Sequence, residues 1–418
     1  MIKIVWLCNS RFSEEKIKFT GSWLQPLAIK LQQTQKIQLI NICRANVSSC
    51  IKENFHSITQ YVLPFRKTYK YGHVPNHVTI QEINNIIKSE SPDLIHIWGT
   101  ESIWAYMNKI LKDSYKTLID IQGLLAPYSM YYYGGLTNKE ILKSIHLKEL
   151  LMPTRTLYNK KRIFEQRGRQ ETIHLKSFTN ISVQSNWVKN YIQHMIPNSS
   201  IFPTKIILRD KFYTASPWTY KNNKTSPIIF STCAAAVPYK GMHILIKAIG
   251  ILKEKYPNIE LHLAGQINVG NILLDGYSIY IKKLIKNLGL ESNVHYLGPI
   301  DDTQIIKELQ LCSVCVIPSF IETYCLAFAE AMIIGTPTIA SYAGAMPELA
   351  EHKKEALFYN SIDYYTAASY IDILIQNKNL AEFLSSNSRE RRMRENNPQS
   401  VINQQLDIYN KIIQKGKR

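Results

Sequence analysis

The sequence predicts an α/β protein with two doubly wound domains, and three observations support this fold class. Short β-rich runs alternate with longer stretches of helical periodicity, which is typical of parallel sheets covered by helices. The scheme starts a second time after 209–226, a polar segment without periodicity. The chain has 418 residues, 45% of them hydrophobic, which is enough for two complete cores.

The first half contains five candidate strands separated by helical stretches. These strands are 2–8, 36–43, 93–98, 117–122 and 180–185. The helical stretches between them include 21–33 and 78–89. We expect an N-terminal doubly wound domain over 1–208.

The second half repeats the pattern and ends in a helix. Its candidate strands are 227–233, 259–265, 293–298, 313–318 and 337–341. We expect a linker over 209–226, a C-terminal doubly wound domain over 227–395, and an amphipathic helix over 396–418 that packs back toward the N-terminal domain. Ligands of such sheets bind at the carboxyl ends of the strands, so we expect a cleft between the two domains.

Composition limits the location and the partners of the protein. The net charge of +18, from 50 Lys and Arg against 32 Asp and Glu, favours an anionic partner: a phosphate-bearing substrate, an acidic membrane or nucleic acid. A lysine-rich genome would produce the same bias without any partner. The seven cysteines form no paired framework, and no apolar run is long enough to span a bilayer. We expect a cytoplasmic protein, at most peripheral to the inner face of the membrane.

Two loops that follow strands carry candidate anion contacts. The loop after the first strand ends at Gly21, where a helix begins, and a helix N-terminus can bind an anion. The loop after 227–233 places Lys240 at the N-terminal end of the next helix, where a cation is unfavourable. A phosphate bound at this lysine would reverse that cost, although a solvated turn lysine remains an alternative.

The segment PSFIETYCLAFAEAMIIGTPTIAS at 318–341 carries two acids in apolar surroundings. Glu322 and Glu330 are eight residues apart, about 12 Å if the stretch were entirely helical. The carboxyl groups of a glycosidase are only about 5–9.5 Å apart. The spacing therefore favours two ends of one extended ligand, such as a nucleotide-sugar, over an acid/base pair. A pair of exposed glutamates is the alternative.

Aromatic and amide side chains follow two strands of the first half. Trp98 and Thr100 lie in IHIWGTES, and Gln122 precedes a tyrosine cluster at 128–133. Such groups suit the faces and hydroxyls of sugars, so these residues are acceptor-side candidates. The same residues also occur in ordinary cores and at membrane interfaces.

Taken together, these motifs resemble the retaining glycosyltransferases of family 4. The most specific part is E-x7-E followed by A-M-x-x-G-x-P, formed by Glu322, Glu330, Ala331, Met332, Gly335 and Pro337. The segment SYAGAMPELA fits the family's GGxPE through Pro347 and Glu348. The resemblance covers nearly the whole chain and is strongest in 227–360. It implies the GT-B fold, in which two doubly wound Rossmann-like domains face each other across a cleft.

The resemblance also implies a role for each matching residue. Glu322 would contact the hydroxyls of the donor sugar, and Glu330 would bind the ribose. Lys240 would neutralise the departing phosphate. The remaining donor contacts would come from the backbone at Tyr324, Cys325 and Leu326, from Gly21 beneath the diphosphate, and from the loops after Gly265 and Gly298. The catalytic residues would then be Glu322, Lys240 and Gln122.

Three positions depart from the family pattern. Ala235 stands where an arginine is common, Gln122 where many members have a histidine, and Cys325 where a glycine is frequent. A glutamine can hydrogen-bond a sugar hydroxyl but cannot carry a proton. The chain has no D-x-D motif, so we expect no metal and no cofactor, only a UDP- or GDP-linked co-substrate.

The leading hypothesis is a retaining glycosyltransferase for bacterial capsule, O-antigen or exopolysaccharide synthesis, acting on a glycan or a polyprenyl-diphosphate-linked acceptor. A GT-B epimerase or phosphorylase is the alternative enzyme class. The basic segment 155–169 would suit an anionic membrane surface or a solvated helix face. A nucleic-acid-binding protein ranks last, because it leaves Glu322 and Glu330 without a role.

Overall fold

The computed structural model describes residues 1–14, 23–145, 149, 156–266 and 275–415. The chain divides into two compact units. The first unit comprises Met1–Pro127, Ile163–Arg209 and the residues from Asn396 onward, and the second comprises Tyr128–Arg162 and Asp210–Glu395.

The first unit is built on an eight-stranded sheet. Its strands and a small two-stranded ribbon are β1 (Ile2–Leu7), β2 (Ile37–Ala45), β3 (Ile51–Phe55), β4 (Ile58–Pro64), β5 (Thr68–Tyr69), β6 (Val74–Pro75), β7 (Leu94–Trp98), β8 (Thr117–Asp120), β9 (Asn180–Val183) and β10 (Ser200–Pro203). The sheet order is β10-β9-β8-β7-β1-β2-β4-β3, and β5 pairs with β6 in the ribbon. Every pairing in the large sheet is parallel except that of β3 with β4.

Helices cover this sheet, and its central strands are apolar on both faces. The helices of the first unit are Leu24–Gln33, His77–Glu90, Trp104–Leu111, Asn186–Met195 and Pro398–Gln414, while Leu125–Met130 and Leu157–Leu175 continue across the unit boundary. Residues 4–7 of β1 are fully buried, as expected for a parallel strand with helices on both sides. The C-terminal helix is tied to the sheet by Tyr409, whose hydroxyl accepts from Trp6 Nε1 (3.0 Å) and lies 2.8 Å from His96 Nδ1.

The second unit contains a six-stranded, wholly parallel sheet. Its strands are β11 (Ile228–Ser231), β12 (Glu260–Ala264), β13 (Val294–Gly298), β14 (Val314–Ile317), β15 (Thr338–Ser341) and β16 (Leu357–Tyr359). They lie in the order β13-β12-β11-β14-β15-β16. The strand order reverses between β11 and β14, and ligands of doubly wound sheets bind outside the carboxyl ends of the strands at this switch point.

The helices of the second unit include one after each of its six strands. They are Asn138–Lys143, Asp210–Thr214, Met242–Leu252, Gly276–Asn287, Asp302–Leu311, Leu326–Ile334, Met346–Leu349, Tyr364–Gln376 and Lys378–Glu395, with a 3-10 turn at Pro238–Lys240. No helix in the described part of the chain is both long and apolar enough to cross a membrane.

Two segments lie in a different unit from the one that the sequence pattern suggests. Residues 128–162 were expected in the first domain, but their polar groups find partners in the second unit: His243 Nε2 lies 2.9 Å from the Gly134 carbonyl oxygen, and Lys247 Nζ donates to Glu140 Oε1 at 2.7 Å. The expected linker 209–226 is packed against the same unit, because Trp218 is buried and its indole N–H donates to the Cys312 carbonyl at 2.8 Å.

Candidate functional site

The switch point of the second unit is formed by the loops after β11 and β14. Ser231 at the end of β11 donates from its hydroxyl to the Val316 carbonyl at 2.6 Å, which joins the two strands where the loops begin. Farther out, Phe320 N donates to the Tyr239 carbonyl at 2.7 Å. Gly241 has a φ of +74°, and a Cβ there would lie 1.9 Å from the Pro318 carbonyl oxygen. Only glycine permits this close approach, which brings Lys240 against the second loop.

Lys240 and Glu322 form an ion pair at this point. Lys240 Nζ donates to Glu322 Oε1 at 2.6 Å, and their side chains are 32% and 10% exposed. Burial by itself lowers the pKa of the Lys240 ammonium, but the Glu322 carboxylate outweighs this effect and raises the pKa above its usual value. Lys240 is therefore a permanent cation with about a third of its side chain open to a ligand.

The backbone around Glu322 is held from two sides. Its carbonyl accepts from Ala345 N at 2.9 Å, and Gly344 (φ +52°) packs so closely that a Cβ would lie 2.1 Å from the Glu322 oxygen. On the other side, Thr323 N donates to the Tyr128 hydroxyl at 3.0 Å. Burial, followed by the charge of Glu322, raises the pKa of the Tyr128 hydroxyl, so it stays neutral.

The helix Leu326–Ile334 begins directly after this loop. Cys325 is its N-cap residue with φ +83° and ψ +80°, a left-handed conformation that non-glycine residues rarely adopt. Its side chain makes no capping hydrogen bond, and the first turn contains no acidic residue. The first N–H groups of a helix have no intrahelical acceptor, so this end offers donors and a positive dipole to an anion.

Glu330 lies about one turn inside the same helix and is buried. Because residues 318–325 form a loop, only the four steps from Leu326 to Glu330 follow the helical rise, which amounts to about 6 Å. The helical estimate of 12 Å for the spacing of the two glutamates therefore does not apply. The helix N-terminus nevertheless lies between Glu322 and Glu330 in the chain, as the sequence suggested.

The other donor-side residues occupy neighbouring parts of the second unit. Gly265 follows β12, and its N–H donates to the Gly298 carbonyl at 3.0 Å. Ala235 lies in the loop after β11 and supplies only a methyl group where the family often has an arginine. Tyr324 and Cys325 are buried, whereas Leu326 is partly exposed. Gly21 lies outside the described residues.

The three acceptor-side candidates belong to the first unit, and they differ in how accessible they are. Trp98 ends β7 and is buried among aromatic rings, with centroids 3.9 Å from His96, 4.7 Å from Trp6 and 5.3 Å from Trp23. This packing closes it off, so Trp98 supports the strand end and does not form an open sugar-binding surface.

Thr100 is also fully buried, and Gln122 is the more accessible of these groups. The Thr100 hydroxyl lies 3.0 Å from the Gly123 carbonyl oxygen, which connects the loops after β7 and β8. Gln122 follows β8 and is partly exposed. Its Oε1 lies close to Gly99, at 3.5 Å from the position that a Cβ on this glycine would occupy. Of the three acceptor-side candidates, Gln122 is the one that is not buried, although its amide nitrogen is.

Sequence reasoning missed the roles of Tyr128, Gly344 and Arg389. Tyr128 had been noted only as part of an aromatic run, yet its hydroxyl holds the backbone beside Glu322. Arg389 lies in a run of arginines that reads as an exposed helical turn, but its guanidinium hydrogen-bonds the Ile333 carbonyl at the end of the helix that carries Glu330. Of these three residues, only Gly344 could have been found from the sequence, because it lies in the segment that resembles GGxPE.

Part of the chain matches a known protein family. Residues 216–391 match the family described as Glycosyl transferases group 1. The uncharacterized glycosyltransferase YqgM of Bacillus subtilis is 29% identical over 176 residues, which are 42% of this chain and 47% of that protein. The MMP alpha-(1->4)-mannosyltransferase of Mycolicibacterium hassiacum is 30% identical over 186 residues, 44% of this chain and 43% of that protein. The matched region thus spans less than half of these curated relatives.

Solved structures resemble the chain over nearly its whole length. Sucrose-phosphate synthase from Thermosynechococcus elongatus superposes with a TM-score of 0.72 at 15% identity, covering 99% of this chain and 100% of that one. Anabaena HepE in complex with UDP and glucose has a TM-score of 0.66 at 16% identity, covering 97% and 99%. Residues 216–391 are therefore similar to the glycosyl transferases group 1 family, and the chain as a whole has the GT-B fold.

Proposed function

We propose that this protein is a retaining glycosyltransferase that moves a sugar from a nucleotide-sugar to a glycan or a lipid-diphosphate-linked acceptor. The observation that carries the proposal is the Lys240–Glu322 pair, which lies at the switch point of the second unit directly before the helix that begins at Leu326. A cation beside a helix N-terminus suits a diphosphate, and a neighbouring carboxylate suits the hydroxyls of a sugar attached to it.

Donor binding uses three groups in this proposal. The backbone N–H groups of Tyr324, Cys325 and Leu326 bind the diphosphate at the helix end. Glu330 accepts hydrogen bonds from the ribose hydroxyls, and the loops after Gly265 and Gly298 border the nucleobase. A UDP- or GDP-linked sugar is the donor class. In support, Anabaena HepE, a GT-B neighbour, has been solved in complex with UDP-glucose, and one curated relative is a mannosyltransferase.

The transfer step needs charge stabilisation on the leaving group. The acceptor hydroxyl attacks the anomeric carbon on the face that the diphosphate leaves, and the bond between that carbon and the phosphate oxygen breaks. The proton of the acceptor passes to the departing phosphate oxygen, so the electrons and the proton balance without an enzymic nucleophile. Lys240 and the helix N–H groups stabilise the developing negative charge. Because they supply positive charge, we propose that the reaction needs no metal ion.

The acceptor is proposed to bind beside Gln122. Its amide oxygen can accept a hydrogen bond, which orients a sugar hydroxyl, while the proton goes to the phosphate. Bacterial capsule, O-antigen or exopolysaccharide synthesis is the proposed setting, with the protein in the cytoplasm at the inner membrane face.

An anionic membrane is the proposed partner of the basic segment 155–169. Arg155 lies outside the described residues, but Tyr158 is 67% exposed, and Arg162 and Arg169 are also exposed. These three groups, on helix Leu157–Leu175, have the aromatic and cationic character that suits acidic headgroups. Other basic residues of the segment are engaged within the protein: Lys161, for example, lies 4.9 Å from the centre of the Tyr133 ring.

A thermal-shift screen tests the donor site. The wild type is heated with UDP, GDP, ADP and CMP and with their sugars, and Glu330→Ala is the matched variant. A ligand at one hundred times its Kd stabilises a protein by about 2.7 kcal/mol. We expect one nucleotide class to raise the Tm of the wild type and to act weakly on the variant. Absence of stabilisation by any nucleotide, or an equal response of both proteins, would contradict the assignment. If product formed without an acceptor, the protein would be an epimerase. If the reaction depended on free phosphate, it would be a phosphorylase.

A further inference from the structure

The carboxyl group of Glu171 is buried beside the two loops of the proposed acceptor site. Glu171 lies on the helix Leu157–Leu175 and is fully buried. Its Oε1 is hydrogen-bonded to the Thr100 hydroxyl, and its Oε2 accepts from Ala126 N at 3.2 Å. The same Thr100 hydroxyl lies 3.0 Å from the Gly123 carbonyl oxygen. Glu171, Thr100 and Gly123 therefore form a continuous chain of hydrogen bonds.

The protonation of this chain is limited by the single hydrogen of the Thr100 hydroxyl. A threonine hydroxyl has one hydrogen, and a backbone carbonyl can only accept. The single hydrogen of Thr100 can go to Gly123 or to Glu171, and both contacts are hydrogen bonds at once only if the glutamic acid provides a hydrogen of its own. An ionised Glu171 would compete with Gly123 for the single hydrogen of Thr100, and one of the two acceptors would lose this hydrogen bond.

The electrostatic surroundings favour the same protonation state. Burial raises the pKa of Glu171 to about 8, although the hydrogen bonds from Thr100 and from the backbone of Leu125 and Ala126 oppose this rise. The charge of Glu101, in the loop after β7, adds to the rise, and burial also raises the pKa of Glu101 itself. Asp120, at the end of β8, is another buried acid, and burial raises its pKa to about 7. Arg167 lies one turn earlier on the helix, and its guanidinium donates to the Glu101 backbone carbonyl at 3.0 Å. His174, one turn later, has its pKa lowered to about 4 by burial and is neutral.

We propose that Glu171 is a neutral carboxylic acid in the folded protein and that, by donating to Thr100, it positions the Gln122–Gly123 turn for the acceptor. The acceptor role rests on the proposed transferase function, whereas the protonation of Glu171 does not. Glu171 is thus a positioning residue, which acts through Thr100 and the Gly123 carbonyl and does not itself touch the substrate. If Glu171 lost its proton, Thr100 would donate its hydrogen to Glu171 and no longer to the Gly123 carbonyl. The turn that carries Gln122 would then be held less tightly.

Glu171→Gln is the informative substitution because an amide reproduces the neutral acid. Its NH₂ donates to the Thr100 oxygen, and its carbonyl accepts from Ala126 N. Glu254→Gln is the matched control, since Glu254 is an exposed acid of the second unit and loses the same charge.

Thermal unfolding between pH 5 and pH 9 measures the protonation directly. The ordinary pKa of a glutamic acid is 4.5, and that of Glu171 in the folded protein is about 8, so the wild type loses stability as the pH rises through this range. We expect Glu171→Gln to melt at or above the wild-type temperature, with an advantage that grows up to pH 8. The Glu254→Gln melting curve should follow the wild type. A Glu171→Gln variant that melts below the wild type at pH 9, or an advantage that does not grow with pH, would overturn the proposal.

Sugar transfer kinetics test the positioning role. The wild-type KM for the acceptor should rise as the pH passes 8, while that of Glu171→Gln stays flat. At pH 9 about nine tenths of Glu171 is ionised, so kcat/KM should be about tenfold higher for the variant than for the wild type. A wild-type KM that does not change with pH would overturn the positioning role even if the melting data agree. If no acceptor or donor gives any transfer, the proposed function fails, and the melting curves still decide the state of Glu171.

Discussion

Replacing Glu322 by glutamine should tighten the binding of a nucleoside diphosphate, whereas replacing Glu330 should weaken it. In the structure Glu322 Oε1 lies 2.6 Å from Lys240 Nζ, so a phosphate that binds Lys240 must share this ammonium with a carboxylate. The glutamine keeps the shape of the side chain and removes the competing charge. Glu330 is proposed to accept from the ribose, so its replacement removes an attractive contact.

The size of the effect follows from the geometry. A phosphate charge bound at Lys240 would lie about 6 Å from the Glu322 carboxylate, and two like charges at that distance repel by about 3 kcal/mol at an effective dielectric constant of 20. The Lys240 side chain is 32% exposed, and solvent screening reduces this repulsion to about 1–2 kcal/mol. Glu322→Gln should therefore bind UDP or GDP about tenfold more tightly. The loss of a hydrogen bond to a charged group makes Glu330→Gln bind at least about tenfold more weakly.

Isothermal titration calorimetry with UDP and GDP measures both changes, with Glu254→Gln as the control that should match the wild type. Sugar transfer by Glu322→Gln should nevertheless fall about 100-fold, because the donor sugar loses its carboxylate contact. Tighter nucleotide binding combined with slower transfer is the result that distinguishes a sugar-contacting carboxylate from a structural one. Equal weakening by both substitutions would refute the reasoning.

Four further substitutions, at Gly241, Cys325 and His73, probe the backbone and a buried histidine. Gly241→Ala should lower the free energy of unfolding by more than about 2 kcal/mol, because a Cβ would lie 1.9 Å from the Pro318 oxygen; urea midpoints that match the wild type would contradict this. In the same assay, the free energy of unfolding of Cys325→Gly should stay within about 1 kcal/mol of the wild type. Glycine relieves the strain of the left-handed φ, and this gain offsets the added freedom of the unfolded chain. Cys325→Val should lower the free energy of unfolding by about 2 kcal/mol. Burial lowers the pKa of His73 and His174 to about 4 in the folded protein. As the pH falls from 6.5, these histidines therefore bind protons in the unfolded chain before they do so in the folded protein. The free energy of unfolding should fall between pH 6.5 and 4 by up to about 3 kcal/mol per histidine. His73→Leu should remove about half of that decline in thermal melts at pH 7 and 4.5, and an unchanged decline would exclude the buried histidine as its cause.

The β-rich runs allowed much of the fold to be predicted from the sequence. All ten predicted strands occur in the structure, because a strand buried on both faces needs a continuous apolar run that can be recognised locally. Two of the strands that were missed lack such a run. In β3 (Ile51–Phe55) polar residues separate the two apolar ends, and β16 (Leu357–Tyr359) has only three residues. Their pairing depends on neighbours that are distant in sequence.

The donor-side motif was also recognisable in the sequence. Glu322, Glu330 and Lys240 all follow strands of the second unit, and the order of those strands brings Lys240 against Glu322 at the switch point. The acceptor side was predicted less well. Trp98 and Thr100 have suitable chemistry for a sugar, but the structure buries both, and burial depends on packing that a local pattern does not contain.

The sequence by itself determined the alternation of strands and helices, the two-part organisation and the spacing of the acids around a helix that begins at Leu326. These are local features, since hydrophobic periodicity and capping depend on residues only a few positions apart. Only the tertiary structure decided that Tyr128 holds the loop beside Glu322, and that Glu171 meets Thr100 and Gly123 in the first unit. These hydrogen bonds join residues that are 23, 71 and 195 positions apart, and the protonation of Glu171 depends on its burial. Burial and long-range hydrogen bonding arise only when the chain is packed.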